Sequence, residues 1–384
     1  MSAESSGSPL DGILVLDMSQ FLAGPSAALQ LGDLGARVIK IERPDGGDLC
    51  RNLYLSDTRV DGDSTLFHAI NRNKESFTAN LKDPVDLEAV RRLIAKADVL
   101  IQNFRPGVIE RLGLGYDEVR KINPGLVYAS VSGFGPDGPW ARLPGQDLLA
   151  QARSGVMWLT GSAGNGPVPI GLSVADMLAG HILSKGILAA LVRRGVTGVG
   201  GRVETSLLEV LVDFQFELLT TYLNDGERPP RRARSHGANA YLSAPYGVYA
   251  TSNGHLAIAM TPLDRLCELL GEPGLSDGAD EFADRDLLLE KISQVVAKQT
   301  TEELLGKLEP AGIWVSPVLD WPALLREESF KALDMLQTLT TSHGEITTTA
   351  SPLRVDGARA KCDRSAPFVG QHSEAIRDEF GIVD

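Results

Sequence analysis

ILVLDMSQFLAGPSAALQLGDLGARVIKIE, residues 13–42, contains two apolar runs of strand length on either side of a helix-compatible segment. The runs are Ile13–Asp17 and Val38–Ile41, and unbroken apolar runs of this length are typical of strands that a parallel sheet buries on both faces. PSAALQLGDLGA lies between them. The stretch therefore predicts a strand–helix–strand unit with two parallel strands.

Two further apolar runs continue this alternation. VLIQNF, residues 99–104, follows the amphipathic PVDLEAVRRLIAKA, and LVYASVSGF, residues 126–134, follows GLGYDEVRKINPG. Buried strands that alternate with helices are typical of a doubly wound sheet. We therefore expect an α/β fold with a parallel sheet.

The rest of the chain has a different pattern. Residues 151–219 are apolar at helical spacing, which favours buried helices or an oligomer interface. Residues 224–240 are rich in Pro, Gly and Arg and are the best candidate linker. Residues 244–260 predict a β-hairpin, with its turn at residues 252–254.

Composition limits the protein class. The 384 residues are enough for two or three domains, and 43% hydrophobic with 23% charged residues is typical of a soluble globular protein. A formal net charge of −13 argues against a nucleic-acid partner, so an anionic ligand must be bound by local cations. The three cysteines form no disulfide or metal-ligand pattern, and we expect a cytoplasmic protein. No signal peptide and no continuous apolar run of about 18 residues occur, so no membrane association is expected.

Several familiar chemistries lack their sequence signatures. Glu42 ends an apolar run as the ribose-binding acid of dinucleotide enzymes does, but no GxGxxG follows the first run. Glu42 is better interpreted as a structural carboxylate at the end of a strand. The six histidines are scattered singly, and no metal motif or nucleophile elbow occurs.

Asp176 has an unusual sequence context for a carboxylate. In PVPIGLSVADMLAGHIL its neighbours are small and apolar. Burial there would raise its pKa, whereas the amides of a following helix would lower it. Two interpretations stay open from the residues alone: an activated carboxylate, or the N-cap of the helix that follows.

Across essentially the whole chain the sequence resembles the class III coenzyme A transferases, which include formyl-CoA transferase, carnitine CoA-transferase and the α-methylacyl-CoA racemases. The resemblance rests on eight ordered blocks: LDGILVLDMSQFLAGPSAALQLGDLGARVIKIERPDGGD, NRNKESFTANLKD, ADVLIQNFRPGVIERLGLGYDEV, INPGLVYASVSGFGPDGPW, PGQDLLAQARSGVMWLTG, VADMLAG, APYGVYATSNGHLAIA and APFVGQHSEAI.

The resemblance implies that Asp176, in the VADMLAG block, is the nucleophile. Its carboxylate would attack an acyl-CoA thioester to give a mixed anhydride, and the released thiolate would then form an enzyme–CoA thioester. Each step exchanges groups of comparable acyl-transfer potential. Neither ATP nor a metal nor a tightly bound cofactor is therefore implied, and coenzyme A enters as a substrate.

The resemblance also implies a set of residues that contact coenzyme A. Arginines are suited to its phosphates, an aromatic ring to its adenine, and polar groups to its pantetheine amides. As alternatives, the arginines are ordinary surface charges and the aromatic ring is a core residue. The implied positions are Gln20, Ala23, Arg43, Asn103, Phe104 and Arg111.

Some positions depart from individual family members. Formyl-CoA transferases have a glycine-rich loop where this chain has SHGAN, residues 235–239. They also have a lysine where this chain has Ser132, and a tryptophan where it has Leu53. These departures argue against formate and oxalate as substrates. The racemases carry a histidine where this chain has Gln146, before Asp147, and glutamine cannot exchange protons near neutral pH.

The family architecture is a Rossmann-like large domain, whose parallel sheet is built from both chain ends, with a smaller inserted α+β domain in an interlocked dimer. On this chain the resemblance implies a large domain of residues 1–220 and 340–384, a linker of residues 221–240 and a small domain of residues 241–339 that includes a second linker.

The expected function is therefore transfer of coenzyme A between an acyl-CoA and a small carboxylic acid. A 2-methylacyl-CoA racemase and a noncatalytic CoA-binding relative are the alternatives. Arg232 and Arg234, beside His236, fit the second carboxylate of a four- or five-carbon diacid, or else belong to a solvated basic linker.

Overall fold

The computed structural model describes residues 7–382. Its strands, in chain order, are β1 Leu14–Asp17, β2 Arg37–Glu42, β3 Arg59–Val60, β4 Asp63–Ser64, β5 Lys74–Thr78, β6 Val99–Gln102, β7 Val127–Ser132, β8 Gly201–Ser206, β9 Gly247–Ala250, β10 His255–Ile258, β11 Val315–Pro317, β12 Leu336–Thr341, β13 Gly344–Thr349, β14 Arg354–Val355 and β15 Ala358–Arg359.

The α-helices, in the same order, are α1 Ala23–Asp33, α2 Thr65–Asn71, α3 Pro84–Ile94, α4 Val108–Arg111, α5 Tyr116–Ile122, α6 Asp147–Ser154, α7 Val174–Thr197, α8 Leu207–Phe214, α9 Phe216–Asn224, α10 Leu263–Leu270, α11 Arg285–Val296, α12 Thr301–Leu308, α13 Trp321–Leu324, α14 Glu328–Leu333 and α15 Ser373–Phe380. Short 3-10 turns lie at Leu49–Asn52, Val156–Trp158 and Ala163–Asn165.

The chain forms two compact units. The first contains the chain up to Ala150, Ser173–Leu211 and the chain from Leu333 onward, and the second contains Gln151–Leu172 and Val212–Ala332. The predicted domain bounds stay a prediction. The compact units differ from them most clearly at Gln151–Leu172, which the sequence analysis placed in the large domain.

The first unit is built on a parallel sheet whose order, within residues 7–382, is β5-β2-β1-β6-β7-β8. The expected α/β fold with a parallel sheet is confirmed. The expectation that both chain ends build the sheet is wrong, because the six strands described all lie between Leu14 and Ser206. The C-terminal part instead contributes α15, which packs against β5 and α3.

Apolar layers cover both faces of this sheet. On one face α1 and α7 pack on side chains such as Val15 and Val38, and on the other α3, α5 and α15 pack on Ile39 and Leu100. By length and composition α7 could span a membrane. In the first unit one side of α7 lies in this core, with Ala179, Leu183 and Ile187 fully buried.

The second unit contains the antiparallel sheet β11-β10-β9. The hairpin of β9 and β10 has its turn where the sequence predicts it, because Ser252, Asn253 and Gly254 favour turn conformations. Leu256 and Tyr249 of these strands are fully buried against α10, α11 and α12. The second unit therefore has its own apolar core.

Candidate functional site

The strand order creates a crevice at the carboxyl end of β1. From β1 the chain proceeds to β2 and β5 on one side, then crosses to β6 and β7 on the other. The loops that follow β1 and β6 therefore diverge, and ligands of open parallel sheets bind at such a switch point. Gln20 lies in the loop after β1, and Asn103 and Phe104 follow β6 directly.

A cavity of about 220 Å³ lies at this edge of the sheet. Gln20, Arg43 and Phe104 are the predicted site residues that line it. The full lining consists of Met18, Ser19, Gln20, Lys40, Ile41, Glu42, Arg43, Gly47, Asp48, Ala79, Asn80, Leu81, Lys82, Phe104, Val108 and Leu112. Ala23, Asn103, Arg111 and Asp176 are not part of this lining.

Asn103 joins the two loops of the crevice. Its side-chain amide accepts a hydrogen bond from the backbone N–H of Gln20 at 2.9 Å and donates one to the Gln20 carbonyl at 2.7 Å. Both polar ends of the Asn103 side chain are thus used to hold the backbone of Gln20. The predicted role of Asn103 as a ligand contact stays a prediction, and its observed role is to position the loop.

The residues on either side of Gln20 are held by buried side chains of β2 and of the segment that follows it. Lys40 donates from Nζ to the Ser19 carbonyl at 2.9 Å, and the Phe21 N–H donates to Asp48 Oδ1 at 3.1 Å. Phe21 has φ = 65°, a left-handed conformation that is costly for a bulky residue. Buried polar side chains therefore fix a loop that its own sequence would not favour.

The two predicted phosphate-binding arginines occupy different positions. Arg43 is exposed at the cavity and donates to the Gly47 carbonyl from Nε at 3.3 Å and Nη2 at 3.2 Å. Arg111 is exposed at the end of α4, whose Val108 lines the cavity. The cavity thus has two exposed cations in its lining, Arg43 and Lys82, and a further one, Arg111, on a helix beside it.

Glu42 is a structural carboxylate, as the sequence analysis preferred. Its carboxylate accepts hydrogen bonds from Arg51 at 2.9 and 2.7 Å, from the Ser76 hydroxyl at 2.6 Å and from the Asp48 N–H at 2.9 Å. Burial alone would raise the pKa of Glu42, but Arg51 and the hydrogen bonds bring it below its usual value.

A buried ion cluster lies beneath the loop after β1, and the sequence analysis missed it. Asp17 Oδ2 is 2.8 Å from Lys74 Nζ and 3.7 Å from Lys40 Nζ, and Lys40 is 2.8 Å from Asp48. All four side chains are almost completely buried. Burial raises the pKa of Asp17, but the two lysines and hydrogen bonds lower it to about 2. Burial also lowers the pKa of Lys74 to about 8, against the effect of Asp17.

Asp176 lies in the first turn of α7, but it is not the N-cap. The N-cap position is occupied by Ser173, which makes no side-chain capping bond. Asp147, at the start of α6, supplies the cap: its Oδ1 accepts from the Ala175 N–H at 2.7 Å and from the Asp176 N–H at 3.2 Å. The interpretation of Asp176 as a simple cap is therefore wrong.

The Asp176 carboxylate is half-buried and unsupported by donors. Among residues 7–382, no group donates a hydrogen bond to it. Burial and the nearby negative charge of Asp147 raise the pKa of Asp176 to about 7. A carboxylate in this state is a stronger base and nucleophile, when ionised, than an exposed aspartate.

A close helix contact places Asp176 beside the start of α1. Gly180 lies one turn after Asp176 on the same side of α7. A Cβ at Gly180 would be 2.0 Å from Ser26 Oγ and 3.0 Å from the Ala23 carbonyl oxygen, so only glycine permits this approach. Ala23 is the first residue of α1 and directly follows the loop that carries Gln20. The helix that carries Asp176 therefore packs against the end of the crevice loop.

The candidate acid-binding residues of the second unit have separate environments. Arg232 is buried and donates to a backbone carbonyl at 2.5 Å. Arg234 is 85% exposed and lies 3.7 Å from Asp286. His236 stacks on Tyr249, with ring centroids 5.6 Å apart. Of the two arginines proposed for a second carboxylate, Arg234 has the exposed guanidinium.

The described residues contain no group of three or more His, Cys, Asp or Glu side chains that could hold a metal ion. The groups that the candidate site offers are the Asp176 carboxylate at a helix start, a crevice between parallel strands, and arginines near the crevice.

Comparisons with known proteins agree over nearly the whole chain. The family model described as CoA-transferase family III matches residues 10–373. An acetyl-CoA:oxalate CoA-transferase of Acetobacter aceti is 35% identical, with 98% of this chain and 97% of that protein covered. A succinyl-CoA:glutarate CoA-transferase of Mus musculus is 31% identical over 98% of this chain and 88% of that protein.

A solved structure is also similar. The crystal structure of a CAIB/BAIF family protein from Brucella suis matches with a TM-score of 0.84 and 32% sequence identity, covering 98% of this chain and 100% of that chain.

Proposed function

Because this chain belongs to CoA-transferase family III and is an enzyme of that class, we propose that it transfers coenzyme A to a small dicarboxylic acid through a covalent intermediate on Asp176. The observation that carries the mechanism is the Asp176 carboxylate, which is half-buried, has no hydrogen-bond donor among the described residues and has a raised pKa.

The proposed reaction proceeds by carbonyl exchange. An Asp176 oxygen attacks the thioester carbonyl of the donor, the C–S bond breaks, and coenzyme A leaves as the thiolate. The thiolate attacks the aspartyl carbonyl of the mixed anhydride, which releases the donor acid and leaves an Asp176–CoA thioester. The acceptor carboxylate then attacks that aspartyl carbonyl and expels the thiolate. Finally, the thiolate attacks the acceptor's acyl carbonyl, forms the new acyl-CoA and frees Asp176.

A dicarboxylic acceptor is supported by the relatives and by charge. The two similar enzymes are named for oxalate and for succinyl-CoA with glutarate. The acceptor uses one carboxylate for the exchange, so a second one needs a cation.

We expect the substrate preference to appear in a matched panel. Acetyl-CoA and succinyl-CoA are incubated with oxalate, succinate, glutarate and the monoacid butyrate, and new thioesters are measured by mass spectrometry. A diacid should be used at least about tenfold better than butyrate, because the monoacid loses a charge-assisted contact. Equal use of butyrate would refute the dicarboxylic assignment while leaving CoA transfer intact.

The racemase alternative predicts a different isotope result. Racemisation requires removal of an α-proton by one base and its return from the opposite face. Gln146 cannot exchange protons, and Asp147 is occupied by the N–H groups of α7. A 2-methylacyl-CoA incubated in deuterated water should therefore gain no α-deuterium while coenzyme A moves to an added acid. Rapid deuterium uptake without an acceptor would reverse this ranking.

Arg43 and Arg111 are proposed to bind the phosphates of coenzyme A. Arg43 lines the crevice cavity and Arg111 ends the adjacent helix α4. Arg43→Ala or Arg111→Ala should each weaken CoA binding by about tenfold or more, measured by calorimetry, because each removes a charge-assisted contact. The loss should shrink at high salt. Arg120→Ala, which removes an exposed arginine on α5, is the control and should bind CoA normally.

A homodimer is supported by exposed apolar side chains on α8 and α9. Phe214, Phe216 and Leu223 are 51%, 67% and 60% exposed, which is unusual for such large apolar residues. We propose that a second copy covers them, and we expect light scattering to give twice the chain mass. A monomer at micromolar concentration would contradict this.

A further inference from the structure

We propose that Asp147 is a positioning residue for the covalent step: it anchors the start of α7, and its negative charge disfavours the ionised form of Asp176. This inference rests on the proposed function, because it concerns the reactivity of the same nucleophile. It assigns a role to a carboxylate that itself need not touch the substrate.

The anchoring part follows from the hydrogen bonds. The N–H groups of Ala175 and Asp176 are among those that an α-helix leaves without an internal partner. Asp147 Oδ1 accepts from both, at 2.7 and 3.2 Å, while Ser173 makes no capping bond. One oxygen from α6, 29 residues earlier in the chain than Asp176, thus fixes the turn that carries the nucleophile.

The electrostatic part follows from the same contact. A carboxylate in the first turn of a helix is normally stabilised by the free N–H groups there and by the helix dipole. At this helix Asp147 takes up two of those N–H groups, and its own charge lies close to Asp176. Both effects make the ionised Asp176 less stable, which is consistent with its pKa of about 7.

No cation is among the resolved influences on the pKa of Asp176 within the described residues. Within the described residues of the first unit, burial and Asp147 are the resolved influences on Asp176. Further along α7, His181 Nδ1 lies 3.0 Å from the side-chain oxygen of Gln30, and Lys185 is exposed. The start of α1, which packs against this part of α7, has the uncharged sequence AGPS.

The repulsion is relieved as the reaction proceeds. When Asp176 attacks the thioester, its negative charge passes through the tetrahedral oxyanion to the departing thiolate. The mixed anhydride is neutral at Asp176, so it no longer opposes the charge of Asp147. The pair of carboxylates therefore destabilises the reactant more than the covalent intermediate, which favours the forward step.

The decisive test compares pH profiles of Asp147→Asn and the unmodified enzyme. Asparagine keeps an oxygen that can accept both N–H groups, removes the charge and replaces the second carboxylate oxygen with an NH2 group. For the unmodified enzyme, kcat/KM should fall as the pH drops below about 7, because Asp176 becomes protonated. In Asp147→Asn this acid limb should move to lower pH by about 1 unit, because a close like charge is removed while burial, the larger cause of the raised pKa, remains. The plateau above pH 8 should fall as well, because the nucleophile is less basic.

Two further variants separate the charge from the anchor. Asp147→Ser, which keeps a short capping oxygen, should shift the limb in the same direction. Asp378→Asn, which removes an exposed charge on α15, should leave the profile unchanged. If Asp147→Asn and Asp147→Ser both lose activity by the same factor at every pH, and kcat/KM still falls below the same pH as in the unmodified enzyme, Asp147 is only a structural cap and the proposal is wrong. If the unmodified enzyme forms no adduct on Asp176, the proposed function fails instead.

Discussion

Asp176→Asn should lose CoA transfer by about four orders of magnitude or more, because the substitution removes the nucleophile and keeps the side-chain shape. The unmodified enzyme, incubated with a donor and no acceptor, should carry acyl or CoA mass on the peptide that contains Asp176. Borohydride or hydroxylamine should trap this species. The variant should show no adduct.

Coenzyme A binding provides the control for this variant. Asp176 does not line the crevice cavity, so Asp176→Asn should bind coenzyme A with nearly unchanged affinity. Full turnover by Asp176→Asn and by Asp176→Ala would exclude Asp176 as the nucleophile. Loss of CoA binding along with turnover would indicate misfolding, which a melting temperature would reveal.

Lys40→Met should lower the free energy of unfolding by about 3–5 kcal/mol, because it leaves the buried Asp48 carboxylate without its cation, while Asp17 keeps Lys74. Lys40 lies 2.8 Å from Asp48 and 3.7 Å from Asp17, and all three side chains are inaccessible to water. Denaturant titration measures the change. The double variant Lys40→Met/Asp48→Asn should recover part of the loss, because one unpaired charge is removed.

An exposed ion pair supplies the matched control for the buried one. Lys121 pairs with Glu118 at 2.6 Å, but both side chains are more than half exposed. Lys121→Met should therefore change stability by less than about 1 kcal/mol. If Lys40→Met and Lys121→Met had the same free energy of unfolding, the buried ion cluster would not contribute more to stability than the exposed pair.

The central strands were predictable and the edge strands were not. The runs at residues 13–17, 38–41 and 99–104 are apolar because neighbouring strands and helices bury both of their faces. β5 reads KESFT and β8 reads GRVETS, so neither forms an apolar run. Both lie at the edges of the sheet, where polar residues are tolerated, and in β5 Lys74 is buried only because Asp17 pairs with it.

The site was predictable where loops follow strands. Gln20, Arg43 and Phe104 converge because parallel strands place their carboxyl ends at one edge. The contact between Asp147 and the first turn of α7 was not predictable, since it joins separate elements through tertiary packing. A usable signal existed for the ion cluster: a lysine within the apolar run VIKI requires a buried partner, and only the fold identifies it as Asp48.

The glycine contact between α7 and α1 has a consequence for how the substrate range can evolve. A Cβ at Gly180 would lie 2.0 Å from Ser26 Oγ and 3.0 Å from the Ala23 carbonyl oxygen, so a larger residue would force Ser26 or the helices to shift. Asp176 lies one turn before this contact, so a shift of α7 there would move the carboxylate as well. Acyl groups of different size must be accommodated by other parts of the chain. Selection for a new substrate should accordingly act on loops, while the helix that carries the reactive carboxylate stays unchanged.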